Sequence, residues 1–210
     1  MHRFAPPLVV GFDLDMTLID PRRGVRTALH ALAEESGVDI DVELIVSSLG
    51  PPLETALSPW FDGDALDRAC WRYRDLHGAL LFDHTDPMPG AVEAVAAVRN
   101  LGGTVIVVTA KYEPHARISL TAVGIEANLV VGWKYGPAKG EVLRHHKAQI
   151  YVGDHPADVI AAQVAGSFCV AVATGEATPS TLRAAGAEVV LADLLGFPRW
   201  LERWLESGAD

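Results

Sequence analysis

The chain predicts an α/β fold: a doubly wound parallel sheet, interrupted after its first strand by an inserted helical segment. Three observations carry this expectation. From about Val105 onward, short β-branched runs alternate with segments of helical period, the pattern of a parallel sheet covered on both faces. Residues 21–87 break that alternation and contain no convincing strand. The first apolar run, Leu8–Phe12, leads into Asp13, Asp15 and Thr17, spaced two apart, so polar groups gather where a buried strand runs out.

The elements follow in order. Leu8–Phe12, LVVGF, reads as a buried strand. In the insert, Val25, Leu29 and Leu32 recur at helical spacing and stop near Gly37. A second apolar helix covers about Asp41–Leu49, and a third, Asp64–Leu81, carries Leu66, Cys70, Tyr73 and Leu80. A helix over Gly90–Val98 leads back to a strand at Thr104–Val108. Helices near Pro114–Val123, from Lys139, over Pro156–Ala165 and over Thr178–Ala185 then alternate with strands at Leu129–Val131, Ile150–Val152, Phe168–Ala173 and Glu188–Leu191. Gly102, Gly124 and Gly166 fall just past helical patterns, where a left-handed residue ends a helix. Trp200 and Trp204, four apart, mark an amphipathic C-terminal helix that packs on the core. The expected division is a core of residues 1–20 and 88–210 around a helical domain of residues 21–87.

Two acids closing a buried strand are costly unless something pairs with them. A helix cap or an exposed turn explains one acid; two acids plus a Thr point to a carboxylate nucleophile beside a carboxylate acid/base, near a cation. In open parallel sheets ligands sit beyond the carboxyl ends of the strands. Asp13, Thr109 and Asp154 each occupy that position on a separate strand. Asp158 follows Asp154 by four residues, and a hard cation such as Mg²⁺ takes oxygen ligands of this kind. Asp154 is equally suited to capping the helix Pro156–Ala165, whereas Thr109 would cap the helix near Pro114 only loosely.

The segment Leu8–Asp20, with its D-x-D-x-T, resembles the first motif of the haloacid dehalogenase-like hydrolase superfamily. V-T-x-K at Val108–Lys111 and G-D-x-x-x-D at Gly153–Asp158 resemble its second and fourth motifs, the former in the phosphoglycolate phosphatase-like branch. The third motif, a Lys opening a helix as K-x-x-x-L, fits Lys139–Leu143 and not Lys134. GPPLETAL (Gly50–Leu57) and YRDLHGALLFDHTDPMPG (Tyr73–Gly90) resemble that branch's cap, with Tyr73, His77 and Met88 departing from its pattern. The resemblance implies a Rossmann-like core under a helical cap that acts as a lid. It implies a Mg²⁺-dependent phosphatase with Asp13 as nucleophile, Asp15 as acid/base, and Thr109 and Lys139 holding the transferring phosphoryl group. The metal set would be Asp13, Asp15 through its backbone carbonyl, Asp154 and Asp158. Expected substrate contacts are Thr17, Thr109, Ala110, Lys111, Lys139 and Arg74. The substrate is a small phosphorylated metabolite, with phosphoglycolate suggested by resemblance alone.

Rivals are weighed on residues. A dehalogenase has no need of Asp15, and a phosphonatase wants a cap lysine, of which there is none between Asp20 and Gly90. A phosphomutase keeps all four motifs, and a non-catalytic relative would not need them. A net charge of −10 argues against nucleic-acid binding, and no apolar run approaches the roughly 18 residues of a membrane helix. The N-terminal apolar stretch meets an acid too soon for a signal peptide. Cys70 and Cys169 read as buried thiols, which favours the cytoplasm, and either a monomer or a homodimer fits. His145 and His146 are expected to face solvent; Arg72 and Arg74 could reach a substrate carboxylate from their helix, with a solvated helix face as the competing reading that the spacing favours; His155 reads as a loop residue at the rim.

Overall fold

In the computed structural model, which describes residues 7–208, the first apolar run forms β1 (Val9–Phe12). Residues 1–6, part of the stretch read for a leader, lie outside the described residues. After β1 come β2 (Ile19–Asp20), α1 (Arg22–Ser36), α2 (Val42–Ser47), α3 (Leu53–Leu57), α4 (Gly63–Gly78) and β3 (Asp86–Pro87). The alternating part follows: α5 (Ala91–Asn100), β4 (Thr104–Val108), α6 (Glu113–Ala122), β5 (Leu129–Val131), α7 (Pro137–His145) and β6 (Ile150–Gly153). It closes with α8 (Pro156–Ala165), β7 (Phe168–Val172), α9 (Pro179–Ala185), β8 (Val189–Leu191) and α10 (Phe197–Glu206), the last preceded by a 3₁₀ turn at Leu194–Gly196.

Six strands make one parallel sheet in the order β5-β4-β1-β6-β7-β8. The α/β expectation therefore holds, with β1 at the centre. Each inner strand feeds both faces, because successive side chains alternate. Val10, Phe12, Val105, Val107, Ile150 and Val152 pack on one side with α5 and α10. Ile106, Val108 and Tyr151 pack on the other against Leu143, Val159 and Ala162. Phe12 meets Phe197 edge-on at 5.6 Å, and Trp200 and Trp204 pack against the same cluster. Gly102, Gly124 and Gly166 all take positive φ.

The four helices between β2 and β3 bury a separate cluster that includes Leu29, Leu32, Ile45, Leu57 and Cys70. Here the structure corrects three details. A two-residue antiparallel ladder joins Ile19 to Pro87 and Asp20 to Asp86, too short to show an alternation and containing a proline. Leu53–Leu57 is helical, but five residues do not complete two turns of apolar period. The helix read to Leu49 ends at Ser47, since the hydroxyls of Ser47 and Ser48 both donate to the Leu44 carbonyl, at 2.9 and 2.7 Å, and offer the backbone an alternative to helix. No helix among the described residues is long and apolar enough to cross a membrane. Cys70 and Cys169 are free and buried.

Candidate functional site

The site begins where β1 ends. Asp13 continues the ladder by donating its N–H to the Val152 carbonyl at 2.8 Å. The chain then turns back on itself, with the Leu14 carbonyl accepting from the N–H groups of Thr17, Leu18 and Ile19 at 3.2, 2.8 and 3.0 Å. Met16 makes this turn at φ 61 while buried, a left-handed conformation that costs about 1–2 kcal/mol without glycine. Its carbonyl is held by Thr174 Oγ1 at 2.6 Å. The turn presents Asp13 and Asp15 to one cavity and buries Thr17.

Asp13, Asp154 and Asp158, all buried, offer carboxylate oxygens that lie within 4.8 Å of one another. Lys139 Nζ sits among them, 2.8 Å from Asp13 and 2.7 Å from Asp158. Asp158 is committed further: Tyr151 donates its hydroxyl to Oδ1 at 3.0 Å and His155 its N–H to Oδ2 at 3.2 Å. Asp154 does not cap α8. His155 does, its Nδ1 accepting from Ala157 N–H at 3.0 Å, which leaves Asp154 to accept from Thr17 Oγ1 at 2.9 Å. Gly175 lies so close that a Cβ there would fall 1.9 Å from Asp154 Oδ2.

Three carboxylates against one ammonium leave a buried excess of negative charge. Burial lifts the Asp154 carboxyl well above the ordinary range, and the charges of Asp158 and Asp13 add to it. Burial also raises Asp13, with Lys139 opposing. Burial works against the Lys139 ammonium, but Asp13 and Asp158 outweigh it and hold the group above the usual lysine range. A hard divalent cation resolves such an excess, so the all-oxygen donor set fits Mg²⁺. Asp13 and Asp154 would hold it, with Asp158 already accepting hydrogen bonds from Lys139, Tyr151 and His155. The Asp15 carboxylate is not part of that cluster.

On the other side of Asp13 lies the end of β4. Thr109 is buried and caps no helix: α6 starts after Tyr112, and Thr109 Oγ1 accepts from Lys111 N–H at 3.1 Å. Lys111 Nζ reaches Asp15 at 2.9 Å. Thr109, Ala110 and Lys111 line the cavity with both acids. Lys134 is not among the cavity's lining residues.

The cavity, about 100 Å³, is roofed by the helical insert. Arg74 is not on a solvated face: it is only 7 % exposed, pairs with Glu54, and its guanidinium lies 4.9 Å from the Trp71 ring and 5.8 Å from that of Trp133. The α4 face that carries it packs toward the sheet edge, which helical period alone does not reveal. Arg72 does stay outside, bridged to Glu35 at 2.6 Å, and His145 and His146 are exposed. Sequence reasoning also missed Tyr151, hidden in an apolar strand, and the lining pair His77 and His115, whose rings stand 5.8 Å apart.

His77 gives a stability prediction. Burial, with Lys111, His115 and His84 adding, lowers its pKa from 6.5 to about 2. An unfolded chain takes up the proton near pH 6.5 and the folded protein does not, so stability falls as pH drops below that value. The loss is about 1.4 kcal/mol per pH unit for one such group; His115, lowered to about 4 mainly by burial, adds a smaller share. His77→Phe, which keeps a ring on Tyr73, should cut the loss between pH 7 and pH 5 by about 2 kcal/mol. Urea unfolding at the two pH values reads this, and an unchanged slope contradicts it.

This is a parallel α/β protein with a polar site at the carboxyl edge of its sheet. A family profile described as haloacid dehalogenase-like hydrolase matches residues 10–132, and a second one, HAD-hydrolase-like, matches 137–196. The chain belongs to the haloacid dehalogenase-like hydrolases. It is 31% identical over 185 residues to the tyrosine-protein kinase PtkA of Mycobacterium tuberculosis, covering 81% of this chain and 63% of that protein. The chain thus spans under two thirds of the length of that relative. It is 28% identical over 219 residues to the phosphoglycolate phosphatase of Caulobacter vibrioides, covering 90% and 89%. In fold it is similar to a haloacid dehalogenase-like family hydrolase from Streptococcus pneumoniae, with a TM-score of 0.79 at 19% identity over 93% of this chain and 98% of the other.

Proposed function

We propose that the chain is a Mg²⁺-dependent phosphatase that hydrolyses a small phosphorylated metabolite through an aspartyl-phosphate on Asp13. The observation that carries this reading is one buried carboxylate with three kinds of neighbour. Asp13 has Lys139 at 2.8 Å, shares a tight oxygen cluster with Asp154 and Asp158, and faces a cavity that Asp15 and Thr109 also line. Family membership and similarity to phosphatases support it.

In this reading an Asp13 oxygen attacks the phosphorus of a monoester and the bond to the alcohol oxygen breaks. Asp15 gives its proton to the departing oxygen, then takes one from a water whose oxygen attacks the same phosphorus, freeing phosphate and restoring Asp13. Lys111, against Asp15, holds that carboxyl at the cavity wall. Thr109, Lys139 and the N–H groups of the turn after Asp13 grip the phosphoryl oxygens, with Thr17 and Ala110 shaping the cradle. Positioning and charge neutralisation are most of what this transfer requires. Mg²⁺, held by Asp13, Asp154 and the Asp15 carbonyl with Asp158 behind them, supplies charge neutralisation and a Lewis acid when bound. The core of residues 1–20 and 88–210 carries the chemistry, and residues 21–87 form the lid. Two free buried thiols support a cytoplasmic setting.

Hydrolysis of p-nitrophenyl phosphate tests the reading. Turnover is expected with Mg²⁺, to fall at least about a hundredfold on chelation, several kcal/mol of transition-state stabilisation, and to return on adding Mg²⁺. Activity indifferent to chelator would refute the metal's part.

A further inference from the structure

The half of the cavity that would receive the leaving alcohol is lined by the helical insert, and its chemistry is legible. Val25 and Leu29 of α1, Ile45 of α2 and Leu53 of α3 make an apolar wall, beside the phenol of Tyr73 on α4. The cations among its lining residues are already matched: Arg74 with Glu54, and Lys111 with Asp15 at 2.9 Å. The two lining histidines stay neutral near pH 7, since burial, the larger cause in both, lowers them to about 2 and about 4. A second anionic group on the substrate would thus meet apolar side chains and cations already engaged, Arg74 by Glu54 and Lys111 by Asp15 in the resting site, and a buried charge without a partner of its own is strongly disfavoured.

Resting on the phosphatase reading above, we infer that the substrate is a phosphomonoester whose alcohol part is uncharged and largely apolar. The reaction consumes that ester and water and yields the free alcohol and inorganic phosphate. The matched Arg74 is the specificity-determining feature. Its guanidinium lies against two indole rings and its acid partner is half-exposed, so removing Glu54's charge should free a cation beside the cavity without touching the groups that handle phosphorus.

The test compares phosphoglycolate with n-propyl phosphate, in which an uncharged ethyl group replaces the carboxylate, using purified full-length protein with Mg²⁺. The expected kcat/KM is at least about tenfold higher for n-propyl phosphate, the scale of one well-covered methylene. Glu54→Gln should shift the ratio at least about fivefold toward phosphoglycolate; circular dichroism checks that it folds. Should that variant fail to fold, the wild-type ratio, extended to benzyl phosphate, decides alone. A wild-type preference for phosphoglycolate, or an unmoved ratio in folded Glu54→Gln, overturns the inference and leaves the phosphatase reading standing. If neither these esters nor p-nitrophenyl phosphate is hydrolysed, the phosphatase reading itself fails and the inference with it.

Discussion

Asp13→Asn is expected to abolish phosphatase turnover, by at least about 10⁴-fold, while the protein remains folded. The amide keeps the shape of the carboxyl but is no nucleophile toward phosphorus, and removing a nucleophile costs several orders of magnitude in comparable systems. Stability should hold at neutral pH for a specific reason. Asp13 sits with two other buried acids within 4.8 Å, so removing its charge relieves repulsion and a desolvation cost. Against this stands the lost pairing with Lys139, which retains Asp158 at 2.7 Å. Phosphate release and a thermal melt together read the result. A folded Asp13→Asn protein with wild-type turnover would remove Asp13 from the reaction.

Lys139→Met should be the most destabilising change at the site. The ammonium is the shared partner of Asp13 and Asp158, and all three side chains are at least nine-tenths buried. Taking away one partner of a buried ionic group typically costs about 3–5 kcal/mol, because the remaining charges have nowhere to go. The deficit should narrow as pH falls toward the ordinary carboxylate pKa of about 4, where protons replace the lost cation. Urea unfolding at pH 7 and pH 5 measures both parts, and a loss of phosphatase activity is expected with them. A variant as stable as the parent at pH 7 would mean that the acids are not charged in the folded protein.

The sheet and its acids were readable because their signals are local. Buried strands need β-branched runs, and the alternation with helices dictates parallel pairing; Asp13, Thr109 and Asp154 then fall on one edge by topology. Lys139 was separable from Lys134 only through resemblance. Arg74 was misread because helical period describes a face, not what that face meets, and its partners Glu54 and Trp133 come from distant segments. The ladder of Ile19–Asp20 with Asp86–Pro87 was invisible for a related reason, since two residues carry no periodicity. Asp154's freedom from capping depended on His155, whose imidazole takes that role through a geometry no spacing rule anticipates.

By itself the amino-acid order determined a parallel α/β core, a helical insert, and acids and a threonine brought to one rim. These follow from side-chain alternation, helical period and chain connectivity, which act over a few residues at a time. Only the tertiary structure decided how charges are matched across the cavity: Lys139 between Asp13 and Asp158, Lys111 on Asp15, Arg74 on Glu54. Electrostatic pairing depends on distances of a few ångströms between atoms far apart along the chain, and in a buried setting those distances govern which charges remain available to a substrate.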